Sequence, residues 1–216
     1  YKIRNLNWVK VERRKRGKMA KDWTGNQISI FKTLGANNHT DHDYEENGFY
    51  ATDPVAIDKL KSVFDIPHSI YEPMCGQGHL SERLIKYGHE VWSTDLIDRG
   101  YGETGVNFFD IESIDKKWNI LTNPNYRFGM ETVLHAIDLV AEGNYVMMFL
   151  KVQLKKNKKR KVNLYDKFNP KHLFISSERI WCAKDADFES MKGSAVAYAW
   201  FVWQKGWKGK TEIEWI

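Results

Sequence analysis

From residue 50 to residue 150 the apolar positions switch repeatedly between helical and extended spacing. Thr52-Asp53-Pro54 offers a polar cap and a proline suited to a first turn, and Val55, Ile57, Leu60, Val63 and Phe64 then form a stripe. This predicts a helix. The run 69–72 (SIYE) predicts a short strand, and 79–87 (HLSERLIKY) a helix closed by Gly88. Strands are expected at 90–94, 106–109 and 118–122. In 128–142, Met130, Val133, Leu134, Ile137 and Ala141 fall on one helical face, and Gly143 follows. The run 145–150 (YVMMFL) is continuously apolar, as in a strand covered on both faces. Beyond it, 172–175, 180–182 and 196–204 read as strands.

Strand–helix alternation followed by strands predicts an α/β fold: an open, mostly parallel sheet flanked by helices, with a β-rich C-terminal end. Such sheets bind ligands at the carboxyl ends of their strands. The residues directly after each strand are therefore the candidates for chemistry.

Composition narrows the setting. The chain has 216 residues, 42% of them hydrophobic and 14% aromatic, which fits one domain with stacking surfaces to spare. No run approaches the roughly 18 apolar residues of a membrane span. The start is too charged for a secretory signal, so a cytoplasmic setting is expected. Cys75 and Cys182 are too few for a disulfide scaffold or a Cys-rich zinc site. His39, Asp41, His42 and Asp43 lie in a polar stretch and read as a solvated loop, so no metal is expected.

The net charge of +5 is uneven. Residues 1–18 hold eight Lys/Arg against Glu12 alone, leaving 19–216 at −2. This basic leader has three open readings: a phosphate-binding arm, a solvated or disordered tail, or a non-native stretch ahead of a natural start at Met19. Residues 19–48 form an irregular polar segment, and 49–216 the single domain. Within it, 151–171 is a basic loop containing Lys155, Lys156, Lys158, Lys159, Arg160 and Lys161. It is either a solvated surface or a phosphate-contacting loop beside a site.

The first strand runs into Glu72-Pro73-Met74-Cys75-Gly76-Gln77-Gly78, and a helix follows. Glycines there let backbone turn sharply near a ligand. Position 81 is Ser, where a full dinucleotide fingerprint wants glycine, and no P-loop pattern is present. An acid ahead of the glycines would repel a pyrophosphate and suits a cationic ligand. Asp95, after the second strand, is placed to accept ribose hydroxyls. Asp110, after the expected third strand, could accept from an adenine amine, with Phe108, Phe109 or Ile111 beside the ring. An adenosine bearing a cation and no phosphate describes S-adenosylmethionine.

After the next strand stands Asn123-Pro124-Asn125-Tyr126. Glu-Pro-x-x-Gly-x-Gly, Asp95, Asp110 and Asn-Pro-x-Tyr, in this order, resemble the S-adenosylmethionine-dependent amino-methyltransferases. These enzymes methylate exocyclic amino groups and are best known as DNA adenine or cytosine methyltransferases. Phe49–Pro54 looks like their additional cofactor motif. Together with 21–26 and 197–203, it resembles small methyltransferase-like proteins of phages. The resemblance implies a Rossmann-like sheet of the class I methyltransferase type. It gives Tyr50, Thr52, Glu72, Gly76, Gly78, Asp95 and Asp110 to the cofactor, and Asn123, Pro124 and Tyr126 to catalysis. Tyr126 would stack on the target base, and Lys155, Lys156, Lys158, Lys159 and Arg160 would contact substrate. DNA is the expected partner, with RNA or a protein glutamine amide as alternatives. Position 125 is Asn where the family has a second Pro, which is expected to loosen the loop. A catalytically impaired binding protein is the reading that this departure favours.

Overall fold

The computed structural model describes residues 51–152, 161–178, 180, 182–183 and 197–216. In chain order its elements are β1 (Ala51–Thr52), α1 (Val55–Val63), β2 (Ser69–Pro73), α2 (His79–Lys86), β3 (Glu90–Asp95), β4 (Glu103–Thr104) and β5 (Asn119–Thr122). Then follow α3 (Gly129–Leu139), β6 (Tyr145–Lys151), β7 (His172–Ile175), β8 (Cys182–Ala183), β9 (Tyr198–Gln204) and β10 (Glu212–Trp215). Eight strands form one sheet in the order β10-β7-β9-β6-β5-β2-β3-β4. β4, β3, β2, β5 and β6 run parallel, and β9 is inserted antiparallel between β6 and β7. The remaining two strands, β1 and β8, form a separate antiparallel ribbon.

The alternation of side chains along β6 explains its unbroken apolar sequence. Met147 and Phe149 enter one core with Ile57 and Leu60 of α1 and Leu84 of α2. Val146, Met148 and Leu150 enter the other with Val133, Ala136 and Ile137 of α3. A strand buried on both faces has no polar side to keep. Trp200 and Trp203 of β9 divide between the same two cores and are almost fully buried. Each indole N–H finds a carbonyl, Ala56 O at 2.8 Å and Phe168 O at 3.0 Å. At the start of α1, Asp53 Oδ1 accepts the Val55 N–H at 2.9 Å, which is the work of a helix-opening residue.

Four expected elements differ. Of the expected loop 151–171, Lys151 belongs to β6 and Lys161–Tyr165 forms a π-helical turn that buries Leu164. The strand over 106–109 does not form, because Asn107 captures the Phe109 N–H through its side chain and Phe108–Asp110 folds as a 3-10 turn. Local side-chain bonding of this kind competes with sheet ladders. The short β4 takes the position beside β3 instead. The strand expected at 180–182 is Cys182–Ala183, and it pairs with β1 outside the main sheet. The last helix is shorter than 128–142, because Tyr126–Phe128 is a 3-10 turn and Val140 is extended. β1 and β10 carry no strong pattern of their own and come from long-range pairing. Among the described residues no helix is long and apolar enough to cross a membrane.

In this strand order the chain moves outward from β2 through β3 and β4, then outward the other way from β5 through β6. The reversal lies between β2 and β5. A crevice opens at such a point beyond the carboxyl ends of the strands.

Candidate active site

β2 delivers Glu72 to the edge of this crevice, and the chain then turns through a loop with three left-handed residues, Met74 (φ 70°), Gly76 (φ 59°) and Gly78 (φ 82°). Gly78 caps α2, and a Cβ there would run into the Tyr101 ring at its Cγ. The loop is tied to β3 by the Cys75 N–H on Thr94 O at 3.0 Å. Glu72 is only 2% exposed. Its carboxyl accepts the hydroxyl of Ser81, which also meets Ser93 Oγ at 2.6 Å. Burial pushes the Glu72 carboxyl up to about 8, against the partial opposition of the Ser81 hydrogen bonds. Ser81, which breaks the dinucleotide pattern, thus positions the acid.

Asp95 ends β3 and is buried. Its Oδ2 accepts the Gly76 N–H at 2.8 Å and its Oδ1 the Ile97 N–H at 2.9 Å. One lone pair per oxygen remains available. Asp110 stands in the 3-10 turn Phe108–Asp110, off the sheet. It is exposed in the 3-10 turn and does not line the cavity, because the chain has already left the sheet at β4. Asn107 and Phe109 reach the cavity from the same turn.

At the end of β5, Thr122 Oγ1 donates to Pro73 O at 2.7 Å and joins the strand ends on either side of the reversal. Asn123 follows. Its Nδ2 donates to Thr52 Oγ1 at 2.7 Å and approaches Cys182 Sγ at 3.7 Å. Its Oδ1 is buried and has no hydrogen-bond partner among the described residues. Asn125 has φ −57° and accepts the Arg127 N–H at 3.0 Å, opening the 3-10 turn. A proline would hold nearly the same φ. The expected loosening at position 125 is therefore offset, since the side chain makes a turn bond that proline lacks. Tyr126 donates its hydroxyl to Cys182 Sγ at 3.5 Å, and the Lys151 ammonium lies 4.8 Å from its ring centroid. Desolvation pushes the Tyr126 phenol up and the Lys151 ammonium down.

These residues surround one cavity of about 510 Å³. Thr52, Glu72, Asp95, Asn123, Pro124 and Tyr126 all line it. Gly76 and Gly78 shape the loop behind it. Phe109 and Phe128, both partly exposed, stand at its wall edge to face 6.4 Å apart. Tyr50, Lys155, Lys156, Lys158, Lys159 and Arg160 lie outside the described residues, as do His39, Asp41, His42 and Asp43. Three contributors carry no motif in the sequence: Ser81, Lys151 and Cys182. Lys151, which ends β6, belongs in the sequence to the internal basic run that continues at Lys155.

No protein-family model matches the sequence, and no curated protein matches it. Solved structures do. One, from Listeria monocytogenes, is provisionally assigned as a class I S-adenosylmethionine-dependent methyltransferase; it has TM-score 0.52 and 12% identity, covering 88% of this chain and 70% of that one. The fold is that of the class I methyltransferases. A predicted O-methyltransferase from Agrobacterium tumefaciens has TM-score 0.52 and 11% identity, covering 76% of this chain and 85% of that one. A protein from Lactococcus lactis, provisionally assigned as a hemolysin, has TM-score 0.51 and 11% identity over 76% of this chain and 91% of its own. At such identities the likeness concerns the fold, and the chemistry has to be argued from the cavity.

Proposed function

We propose that this protein is an S-adenosylmethionine-dependent methyltransferase acting on an exocyclic amino group of a DNA base, with adenine as the target. The observation that carries the reading is the Asn123 Oδ1 acceptor, buried without a partner among the described residues, in a side chain that lines the same cavity as Glu72 and Asp95. A buried acceptor without a donor costs free energy, which a bound amine would recover.

The residues present fit this cofactor. Glu72 is a buried carboxyl with no basic partner among the described residues, which suits the cationic methionine end. Asp95 would take the ribose with its remaining lone pairs. Phe109 and Asn107 are better placed for the adenine than Asp110. When bound, the cofactor supplies a methyl group already activated on a sulfonium.

An aromatic amine is a weak nucleophile because its lone pair is delocalised into the ring. Asn123 Oδ1 and the Pro124 carbonyl would each accept one of its hydrogens. Holding both hydrogens out of the ring plane favours a pyramidal, more nucleophilic nitrogen. No strong base is needed, and placement and oriented dipoles supply most of the rate. A base taken from a duplex loses its stacking, and Tyr126, with Phe128 nearby, offers an aromatic surface in return. The basic loop after β6 would meet phosphates.

Purified protein incubated with tritiated S-adenosylmethionine and separate pools of DNA, RNA and protein tests the reading. Label in DNA, recovered as methylated adenine, is expected. Label only in RNA or protein would move the substrate to one of those classes. Binding without transfer would make the chain an accessory protein. Asn123→Ala should retain cofactor affinity and abolish transfer.

A further inference from the structure

The β1–β8 ribbon has no place in the sheet, yet it sits against the candidate catalytic loop. Its register opposes Thr52 to Cys182. Both side chains turn to the same group, the Asn123 amide nitrogen, at 2.7 Å from Thr52 Oγ1 and 3.7 Å from Cys182 Sγ. Resting on the function proposed above, we infer that Thr52 and Cys182 are positioning residues that fix the Asn123 amide with its oxygen toward the reacting amine.

A primary amide has two faces of opposite polarity, related by a rotation of half a turn. Nδ2 carries two donors and Oδ1 only acceptors. Thr52 and Cys182 engage the nitrogen end, which leaves Oδ1 as the end without a partner among the described residues. Without the ribbon, the amide could rotate and present donors to an amine that also donates. That orientation repels the substrate. Cys182 reaches further, since it also accepts the Tyr126 hydroxyl at 3.5 Å. One sulfur therefore touches both the first and the last side chain of the Asn-Pro-Asn-Tyr loop. Burial raises the Cys182 thiol, so sulfur stays protonated and has no thiolate with which to attack. The Thr52 hydroxyl, expected from the resemblance to stand beside the cofactor, lines the cavity and is also engaged with Asn123.

The test uses Thr52→Val, which keeps shape and removes the acceptor, and Thr52→Ser, which restores it. In Thr52→Val, calorimetric affinity for S-adenosylmethionine should stay within about twofold, while single-turnover transfer at saturating cofactor falls about tenfold or more, the worth of one lost oriented hydrogen bond. Thr52→Ser should recover most of the rate. Weakened cofactor affinity with an unchanged single-turnover rate would overturn the inference and make Thr52 a cofactor contact. A readout independent of turnover is the side-chain amide of Asn123, followed by nitrogen-15 NMR. Its two protons should exchange slowly in the native chain and faster in Thr52→Val and Cys182→Ala. Equal exchange in all three would overturn the inference. Slow native exchange that is lost in the variants, in a protein that labels no pool, would leave the positioning role standing and remove the methyltransferase reading.

Discussion

Asp95 and Gly76, nineteen residues apart, are joined by a 2.8 Å hydrogen bond from the glycine N–H to Oδ2. The same carboxylate holds Ile97 N–H at 2.9 Å. A side chain placed to bind a ligand thus also fastens the loop that borders the ligand. Asp95→Ala leaves both N–H groups without this acceptor, at about 1–3 kcal/mol each where water cannot reach them. It should lower the unfolding free energy and weaken S-adenosylmethionine binding together. Asp95→Asn keeps one acceptor and should fall between. Chemical denaturation and calorimetry read the two effects, and intact affinity in Asp95→Ala would count against the ribose role.

Glu72 makes stability and ligand affinity respond to pH in opposite directions. Its carboxyl is raised from the ordinary 4.5 to about 8 by burial. Between those values the folded chain holds a proton that the unfolded chain has released. Stability should therefore fall as pH rises through this window, and flatten above it. Glu72→Gln should remove that slope. A cationic ligand favours the ionised carboxylate, so its affinity should rise with pH over the same window, with proton release on binding. Calorimetry in two buffers of different ionisation enthalpy measures the release, and Glu72→Gln should abolish it.

Glu72, Asp95 and Asn123 stand out in the sequence because each sits where a short apolar run ends: near the close of β2, at the last residue of β3 and directly after β5. The sheet itself was legible through the same periodicity, most clearly in β6. Asp110 lies off the sheet because the Asn107 side chain turns the chain before a third long strand can form. Cys182 had no local signal. Its contact with Asn123 spans 59 residues and depends on β1 meeting β8, which two-residue strands cannot announce. Ser81 was visible only as a missing glycine, and its hydrogen bond to Glu72 gives that absence a cause.

Gly78 is constrained twice, by φ 82° and by the Tyr101 ring. Alanine there would be strained in its backbone and would push its Cβ into the base of a ring that cannot swing its near end away. Gly78→Ala should cost more than about 2 kcal/mol, summing backbone strain and overpacking. Tyr101→Ala removes the steric part alone. The double variant should therefore be more stable than the sum of the two single losses, with the backbone strain remaining. Strict additivity in thermal denaturation would show that Tyr101 moves aside freely.

Asn125 replaces a proline of the amino-methyltransferase pattern and still carries a proline-like φ of −57°. What proline would achieve by its ring, Asn125 achieves by accepting the Arg127 N–H at 3.0 Å. Its side chain is then a cap for the 3-10 turn that holds Tyr126. Asn125→Ala should cost about 1 kcal/mol, as loss of a capping side chain does. Asn125→Asp, which keeps the accepting oxygen, should not. Because the turn carries Tyr126, the alanine variant should also lose transfer rate while S-adenosylmethionine affinity is retained. Equal stability of the alanine and aspartate variants by chemical denaturation would remove the cap from the account. The loop, lacking a proline at 125, would then have to owe its shape to the packing of Pro124 and Tyr126 alone.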